Sequence, residues 1–179
     1  QDDPGIFEVP DWNIEQVETL RKAINVLAAT KEDTSGFFGD KSELNPIDHL
    51  LGTAYGWGGN PKDATIYLNV TPEKNDGKTP HTMTISNKVP IKDGGFVSIT
   101  MYNKEGYMQE NDLKMYSVNN VTADRNEDGT VTIHAGGCED GRKNCLPITE
   151  GWNYIIRLYK PSPEIISGDY QFPTFEVSK

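Results

Sequence analysis

The sequence predicts a mainly β protein with two α-helices ahead of the strands. Apolar residues recur at helical spacing in two segments before residue 60, and from residue 64 onward apolar and polar residues alternate with a period of two. At 179 residues the chain is expected to form a single domain. Within it, residues 1–60 are predicted to be a helical segment and residues 61–179 the β-rich part.

The first predicted helix follows a polar arm, Gln1–Pro10. Asn13 is a good N-cap, with Gln16 at the capping-box position, so we predict a helix from about Ile14 to Ala29. The apolar residues at helical spacing form one stripe that is expected to be buried. This stripe comprises Ile14, Val17, Leu20, Ile24 and Leu27.

The second predicted helix follows a loop, Thr30–Asp40. Asn45 before Pro46 is typical of a helix start, because the missing N–H of proline costs nothing in the first turn. The helix is predicted from Pro46 to about Tyr55. Its inward positions are expected to be Ile47, Leu50, Leu51 and Ala54.

Five segments alternate strongly enough to predict β-strands. They are Ala64–Val70, His81–Ser86, Phe96–Tyr102, Thr130–Ala135 and Trp152–Tyr159. Leu113–Val118 is a weaker candidate. Proline makes the C-terminal tail irregular apart from a possible edge strand at Thr174–Val177.

Three of these runs are predicted to belong to one sheet with an apolar and a polar face. The apolar face comprises Val97, Ile99, Met101, Val131, Ile133, Tyr154, Ile156 and Leu158. The polar face comprises Ser98, Thr100, Tyr102, Thr130, Thr132, His134, Arg157 and Tyr159. The first set is expected to form the core, and the second is either a solvated surface or the floor of a binding groove.

Arg157 is the most informative residue of the polar face. A guanidinium inside a strand is costly unless it pairs with a carboxylate or stacks on an aromatic ring. One interpretation is a salt bridge with one of the 27 acidic residues. The other is an anchor for an anionic or sugar ligand, with Tyr67, Tyr102 and Tyr159 as stacking surfaces and His134 on the same face.

The net charge of −10 argues against nucleic acid and anionic membranes as partners, because both attract basic surfaces. No apolar run approaches the roughly 20 residues of a membrane span. No Gly-x-Ser-x-Gly or His-Glu-x-x-His motif is present, so no catalytic residue is predicted. We favour a non-catalytic module that binds a glycan or a small polar or anionic ligand. A hydrolase acting on a polar substrate and an oligomeric interaction or structural protein are the alternatives, and the oligomeric state stays open.

A possible calcium loop lies before the fourth predicted strand. Asp124, Asn126 and Asp128, followed by Gly129, fit the opening of an EF-hand loop. The twelfth position is Ala135 where an EF-hand has glutamate, and a strand follows where a helix is expected. A hairpin turn therefore explains the segment better than calcium binding, and no other cofactor is expected.

The two cysteines, Cys138 and Cys145, lie in one Gly-, Asp- and Asn-rich loop. An even count in one flexible loop favours a disulfide over two unlinked thiols, and zinc would require further ligands. Gln1 in place of methionine indicates that a signal peptide or a tag has been removed. Together these features favour a periplasmic or secreted location.

An ordered set of short motifs resembles the domain-of-unknown-function family 1214. They are Gly58-Gly59-Asn60-Pro61, Ser98-Ile99-Thr100-Met101-Tyr102, Asp128-Gly129-Thr130-Val131, Leu146-Pro147 and Arg157-Leu158-Tyr159. The match covers about Gly56 to the C-terminus. The resemblance implies an antiparallel β-sandwich of jelly-roll type, usually found in bacterial proteins and without an agreed activity.

The chain departs from this family in two places. Many relatives carry a second uncharacterised domain before this one, whereas the sixty residues here are mainly helical and too short for it. The family's tryptophan before Leu-Pro is replaced by Cys145. This replacement implies that the cysteine pair staples the loop locally.

Overall fold

Two units, Gln1–Gly59 and Asn60–Lys179, divide the chain. The computed structural model describes residues 8–31, 34, 36–56 and 58–178. Most of the predicted N-terminal arm, residues 1–7, therefore lies outside the described residues, and so do positions 32, 33 and 35 of the predicted loop. The first unit carries the two predicted helices and the second carries the strands.

Both N-terminal helices form close to the predicted bounds. Helix α1 is Ile14–Ala28 and helix α2 is Pro46–Tyr55. The side-chain oxygen of Asn13 accepts a hydrogen bond from the Gln16 N–H, and that of Asn45 accepts from the backbone of the first turn of α2. These contacts satisfy N–H groups that have no partner inside a helix, which is why the sequence signal was reliable.

The prediction that α1 buries an apolar stripe is wrong for the described structure. Ile14, Leu20 and Leu27 are exposed, and the only fully buried residue of α1 is Ala28. In α2, Leu51 is buried whereas Ile47 and Leu50 are exposed. The small core of this unit consists of Ala28, Phe37 and Leu51, with Ile24 and Phe38 packed against it. Helical spacing shows which side chains share a face, but not whether another element covers that face.

The second unit is mainly β, as predicted. Its strands, among the residues that the structure describes, are β1 (Thr65–Val70), β2 (His81–Ile85), β3 (Val97–Tyr102), β4 (Ser117–Asn119), β5 (Val131–Ala135), β6 (Cys145–Leu146), β7 (Asn153–Tyr159) and β8 (Glu176–Val177). The five strong sequence predictions correspond to β1, β2, β3, β5 and β7. The weaker candidate overlaps β4 only at Ser117 and Val118, and the edge strand is confirmed as the two residues of β8.

The strands form two four-stranded sheets. The first has the order β1-β7-β3-β4 and is antiparallel throughout, and the second has the order β6-β5-β2-β8. In the second sheet β6 runs parallel to β5, so the pairing is mixed and not purely antiparallel. The prediction that the runs of β3, β5 and β7 share one sheet is also wrong, because β5 belongs to the second sheet. Alternation assigns a residue to a face, but it does not say which strands are neighbours.

Both sheets contribute to one hydrophobic core. All eight residues of the predicted apolar face are buried, with exposed fractions between 0 and 6%. Trp152 is fully buried and packs against Tyr154 and Phe175 with ring centroids 5.9 Å away in each case. The period-of-two pattern therefore identified the core correctly although it merged the two sheets.

A third helix, α3 (Pro163–Ile166), occupies the tail that was predicted to be irregular. Pro163 stands in its first turn, where proline is well tolerated, and Ile165 is buried in the core. The same proline that argued against a strand is thus compatible with a short helix.

The cysteine pair forms the predicted disulfide. Cys138 opens a short 3-10 turn, Cys138–Asp140, and Cys145 begins β6. Their α-carbons are 5.7 Å apart and the sulfur atoms are bonded. No helix in the described part of the chain has the length and hydropathy required to cross a bilayer.

Candidate functional site

The polar face of the first sheet follows from the register of its strands. Arg157 in the centre of β7 lies opposite Tyr67 on β1 and opposite Ser98 on β3. Directly paired residues point to the same side of a sheet, and so do residues two apart along a strand. We call this surface the outer face. It comprises Thr65, Tyr67, Asn69, Ser98, Thr100, Tyr102, Ser117, Asn119, Asn153, Ile155, Arg157 and Tyr159.

The guanidinium of Arg157 reaches along β3 to two hydroxyl groups. Its Nη1 donates to Thr100 Oγ1 at 3.0 Å and its Nη2 donates to Tyr102 Oη at 2.8 Å. The central carbon of the guanidinium is 6.0 Å from the centroid of the Tyr102 ring. Thr100 is buried, while Arg157 and Tyr102 are half-buried. These three side chains, which we call the arginine cluster, form the centre of the candidate site.

No carboxylate neutralises Arg157 within the described residues. The three ion pairs there join Lys31 to Asp48, Arg142 to Asp140, and Lys143 to Asp124. None of them lies on the outer face. The interpretation that Arg157 is held by a salt bridge therefore finds no partner in the part of the chain that the structure describes.

Tyr67 is opposite Arg157, but its hydroxyl is turned towards the start of β1. There it accepts hydrogen bonds from the backbone N–H and the side-chain amide of Asn60, both at 3.2 Å. The same amide also donates to Thr65 Oγ1 at 3.2 Å. Tyr67 thus shares the outer face with the arginine cluster, while its hydroxyl is fixed in the opposite direction along the strands.

Tyr159 lies at the end of β7, opposite Thr65. Its ring stacks on Phe96 with a centroid distance of 4.3 Å and an interplanar angle of 21°. Phe96 precedes β3, so the stacked pair joins the two central strands at this end of the sheet. Tyr159 is placed on the predicted face but apart from the guanidinium tip.

His134 is not brought together with the other four predicted site residues. It lies on β5 in the second sheet, opposite Thr82 of β2, whose hydroxyl oxygen is 3.5 Å from its Nδ1. Partial burial, reinforced by the nearby charge of Arg142, lowers the pKa of His134 below its ordinary value. The sequence placed it beside Arg157 only because the two sheets were merged.

One side-chain group of each candidate ligand residue in the possible calcium loop already makes hydrogen bonds within the protein. Asp124 accepts a hydrogen bond from Lys143 Nζ at 2.7 Å, and Asp128 accepts from the N–H and the hydroxyl of Thr130. The Asn126 amide donates to the hydroxyl of Thr130 at 2.9 Å. Within the described residues no three His, Cys, Asp or Glu side chains are grouped as a metal site would require. The segment forms a turn with β5 following it.

Two concave regions border the outer face. A small one, of about 10 Å³, is lined by Tyr102 together with Met101, Asn103, Gln109 and Met115, among others. It has room for roughly one water molecule. A wider open groove of about 660 Å³ is lined by polar residues that include Lys74, Asp76, Lys104, Glu150 and Asn153. Of the arginine cluster, Tyr102 lines the small concavity, whereas Arg157 lines neither of the two.

Sequence reasoning missed the roles of Thr100 and Asn60. Thr100 was assigned to the polar face, but its contact with Arg157 depends on the register of β3 against β7. Asn60 belongs to the Gly58-Gly59-Asn60-Pro61 motif, which gave no indication of a bond to Tyr67. The available signal for Thr100 was its position two residues before Tyr102 on the same strand, which places both side chains on one face.

Two solved structures of bacterial proteins are similar to this chain. The VPA0106 protein from Vibrio parahaemolyticus is 29% identical, with a TM-score of 0.67, and the match covers 96% of this chain and 47% of that chain. This chain thus spans about half the length of the Vibrio protein. An uncharacterized protein from Burkholderia cenocepacia is 17% identical, with a TM-score of 0.44. That match covers 64% of this chain and 29% of the Burkholderia chain.

The family of the chain follows from its sequence match. No curated protein is significantly similar to this chain. A family model described as a protein of unknown function, DUF1214, matches residues 64–163. These residues contain β1 to β7, which are all four strands of the first sheet and three of the four strands of the second. Because the match covers more than half of the chain, the protein belongs to the DUF1214 family.

Proposed function

We propose that this protein is a non-catalytic binding module that holds a glycan or a small polar or anionic ligand on the outer face of its first sheet. The observation that carries the proposal is the environment of Arg157. Its guanidinium is half-buried in the middle of a strand and contacts two neutral hydroxyl groups, and none of the ion pairs among the described residues includes it.

The positive charge of Arg157 is not compensated by any ion pair among the described residues. Moving an ionised group from water to a partly buried position is costly unless it is paired or fully hydrogen-bonded. Two hydrogen bonds to hydroxyl groups offset part of that cost, and among the described residues no carboxylate serves as the counterion. A negatively charged or strongly polar ligand would supply the missing partner, which is why proteins often place such an arginine at a recognition site.

Tyrosine rings provide the second component of the proposed site. Tyr67, Tyr102 and Tyr159 share the face with Arg157, at positions set by the strand register. Tyrosine rings contribute apolar area and a polar tip, a combination that suits the faces of sugars and other hydroxylated ligands.

The proposal extends to the fold and the compartment. We propose that the two sheets form a β-sandwich of jelly-roll type, since both contribute side chains to one core. We also propose a periplasmic or secreted location, since the disulfide between Cys138 and Cys145 is compatible with an oxidising compartment.

The test is a binding titration of the whole chain with neutral sugars, acidic sugars and small organic acids. Binding is monitored through the NMR signals of the tyrosine rings. We expect shifts at Tyr102 that are abolished in Arg157→Met. Arg142→Met is the matched control, because Arg142 pairs with Asp140 in the cysteine loop. A loss of stability in Arg157→Met with unchanged ligand affinity would show that the residue is structural.

One observation favours a second candidate, an interaction protein that associates with another copy of itself. Large apolar side chains of both N-terminal helices are exposed, among them Ile14, Leu20, Leu27, Ile47 and Leu50. Clusters of exposed apolar residues commonly mark protein contacts. Sedimentation over a concentration series decides the matter: a monomer at every concentration argues against self-association.

A further inference from the structure

We infer that the ligand of the arginine cluster carries a carboxylate group. This inference rests on the proposed function and adds the chemical class of the group that Arg157, Thr100 and Tyr102 would bind. The observation behind it is the direction of the hydrogen bonds inside the cluster, in which the guanidinium is necessarily the donor and both hydroxyl oxygens are acceptors.

The cluster presents hydrogen-bond donors that have no acceptor in the described structure. A guanidinium carries five N–H groups and cannot accept, and Arg157 uses two of them on Thr100 and Tyr102. Each of these hydroxyl groups makes no other hydrogen bond among the described residues, so each keeps its own hydrogen available for donation. Among the described residues, three N–H groups of Arg157 and the hydroxyl of half-buried Tyr102 are thus left to donate at one place on the sheet, while the Thr100 hydroxyl belongs to a buried side chain.

A surface of this kind favours a ligand group that accepts hydrogen bonds and does not donate them. A neutral sugar hydroxyl can also accept from these donors, but it leaves the positive charge of the guanidinium unbalanced. A carboxylate offers two oxygens with several lone pairs, matches the planar fork of a guanidinium, and neutralises its charge. Charge-assisted bonds of this type are about twice as strong as neutral ones.

The net charge of the chain favours a carboxylate over a phosphate. With a formal charge of −10, the protein repels anions at long range, and a dianion is repelled more strongly than a monoanion. The cluster itself contains a single positive charge. A carboxylate therefore balances the single positive charge of the site, whereas a phosphate monoester would bring excess negative charge.

The experiment compares four probes on the full chain: glucose, glucuronate, acetate and inorganic phosphate. Affinity is measured by calorimetry and by the ring signals of Tyr102. We expect glucuronate to bind at least about tenfold more tightly than glucose, since one charge-assisted contact is gained. Binding of glucuronate should weaken as salt is added, while any glucose binding should not.

Three variants separate the cluster from general effects. Arg157→Met should abolish the preference for glucuronate over glucose. Arg157→Lys should retain part of it, because the charge remains but the fork is lost. Arg142→Met should behave as the wild type. Melting temperatures of all variants show whether each is folded, and Arg157→Lys keeps the test valid if Arg157→Met does not fold.

The outcomes distinguish this inference from the proposed function. Equal affinities for glucose and glucuronate, both lost in the Arg157 variants, would overturn the inference that the ligand carries a carboxylate. The proposed binding site would then remain as a site for neutral sugars on the same face. Tighter binding of phosphate than of either carboxylate probe would overturn the carboxylate as well. Binding that is unaffected by all Arg157 variants, or no binding of any probe at millimolar concentration, would overturn both the inference and the binding module.

Discussion

At the scale of single residues, short side chains with an acceptor oxygen determine much of the local structure. Asp76 is the strongest case: its carboxylate accepts from the backbone N–H groups of Lys78 and Thr79 and from the Thr79 hydroxyl. The bond from the Thr79 backbone N–H, followed by the other two, lowers the pKa of Asp76 to about 2. All partners lie within three residues, so such contacts form wherever the sequence allows them.

The low pKa of Asp76 predicts a pH-dependent contribution to stability. Because the folded pKa lies below the unfolded value of 3.8, the contribution is present above pH 3.8 and is lost as the pH falls through about 2. Asp76→Asn should therefore lower the melting temperature at neutral pH, and the difference from the wild type should shrink below pH 3.8 and disappear once the pH is below about 2. Asp112→Asn, at an exposed position without a hydrogen bond among the described residues, is the control. A constant difference across this range would contradict the assignment.

Asp128 leads to the second prediction at this scale. Its carboxylate already accepts from the N–H and the hydroxyl of Thr130, and these bonds lower its pKa. We expect millimolar calcium to leave the melting temperature unchanged, since Thr130 already engages Asp128 and Lys143 already engages Asp124. A rise that a chelator reverses, and that Asp128→Asn removes, would instead establish a calcium site.

At the scale of elements, α1 shows the limits of an amphipathic pattern. The spacing and the Asn13 cap predicted the helix, and both are present. The apolar stripe was expected to be buried, yet Leu20 is 62% exposed whereas Leu51 of α2 is 5% exposed. Caps and spacing act within the helix, while burial depends on a neighbouring element.

This contrast predicts different costs for the same substitution in the two helices. Leu20→Ala should change the free energy of unfolding by no more than about 0.5 kcal/mol, as is usual for surface positions. Leu51→Ala should cost about 2 to 5 kcal/mol, because it leaves a cavity in the core of this unit. Chemical denaturation measures both. A large cost for Leu20→Ala would mean that its side chain is covered in solution.

The disulfide between the 3-10 turn and β6 gives a further prediction. Closing so short a loop removes conformational entropy worth about 2 to 3 kcal/mol from the unfolded chain. A reductant should therefore lower the melting temperature of the wild type, and the double variant Cys138→Ser, Cys145→Ser should no longer respond to it. An unchanged melting temperature with both thiols shown to be free would contradict this expectation.

At the scale of the whole molecule, the two units differ in the size of their cores. The core of the second unit includes Trp152, Tyr154, Met83 and many aliphatic residues from both sheets. Among the residues that the structure describes, the core of the first unit has three buried apolar side chains, Ala28, Phe37 and Leu51. Since the stability of a domain grows with the apolar surface that it buries, the second unit holds most of the folding free energy.

The difference predicts how fragments behave. Residues 60–179 alone should give a dispersed NMR spectrum and a cooperative thermal transition, because their core and disulfide lie within the fragment. Residues 8–59 alone should show little stable tertiary structure. A folded helical fragment, or an unfolded β fragment, would show that the size of a unit's apolar core does not determine whether the unit folds on its own.

The sequence by itself determined the features that depend on neighbouring residues. Asn13 and Asn45 placed the helix starts, alternation placed the five main strands, and the apolar set around Ile99, Ile133 and Leu158 identified the core. The ordered motifs also identified the DUF1214 family. These signals are strong because caps, turns and side-chain alternation act within a few residues of the chain.

Only the tertiary structure decided which strands are neighbours and which faces are covered. It placed His134 in the second sheet, joined Arg157 to Thr100 and Tyr102, and left Leu20 exposed. Each of these facts depends on pairs of residues that are distant in the chain. A period of two assigns every residue to a side, but strand order is set by the packing of the entire core, which no single segment encodes.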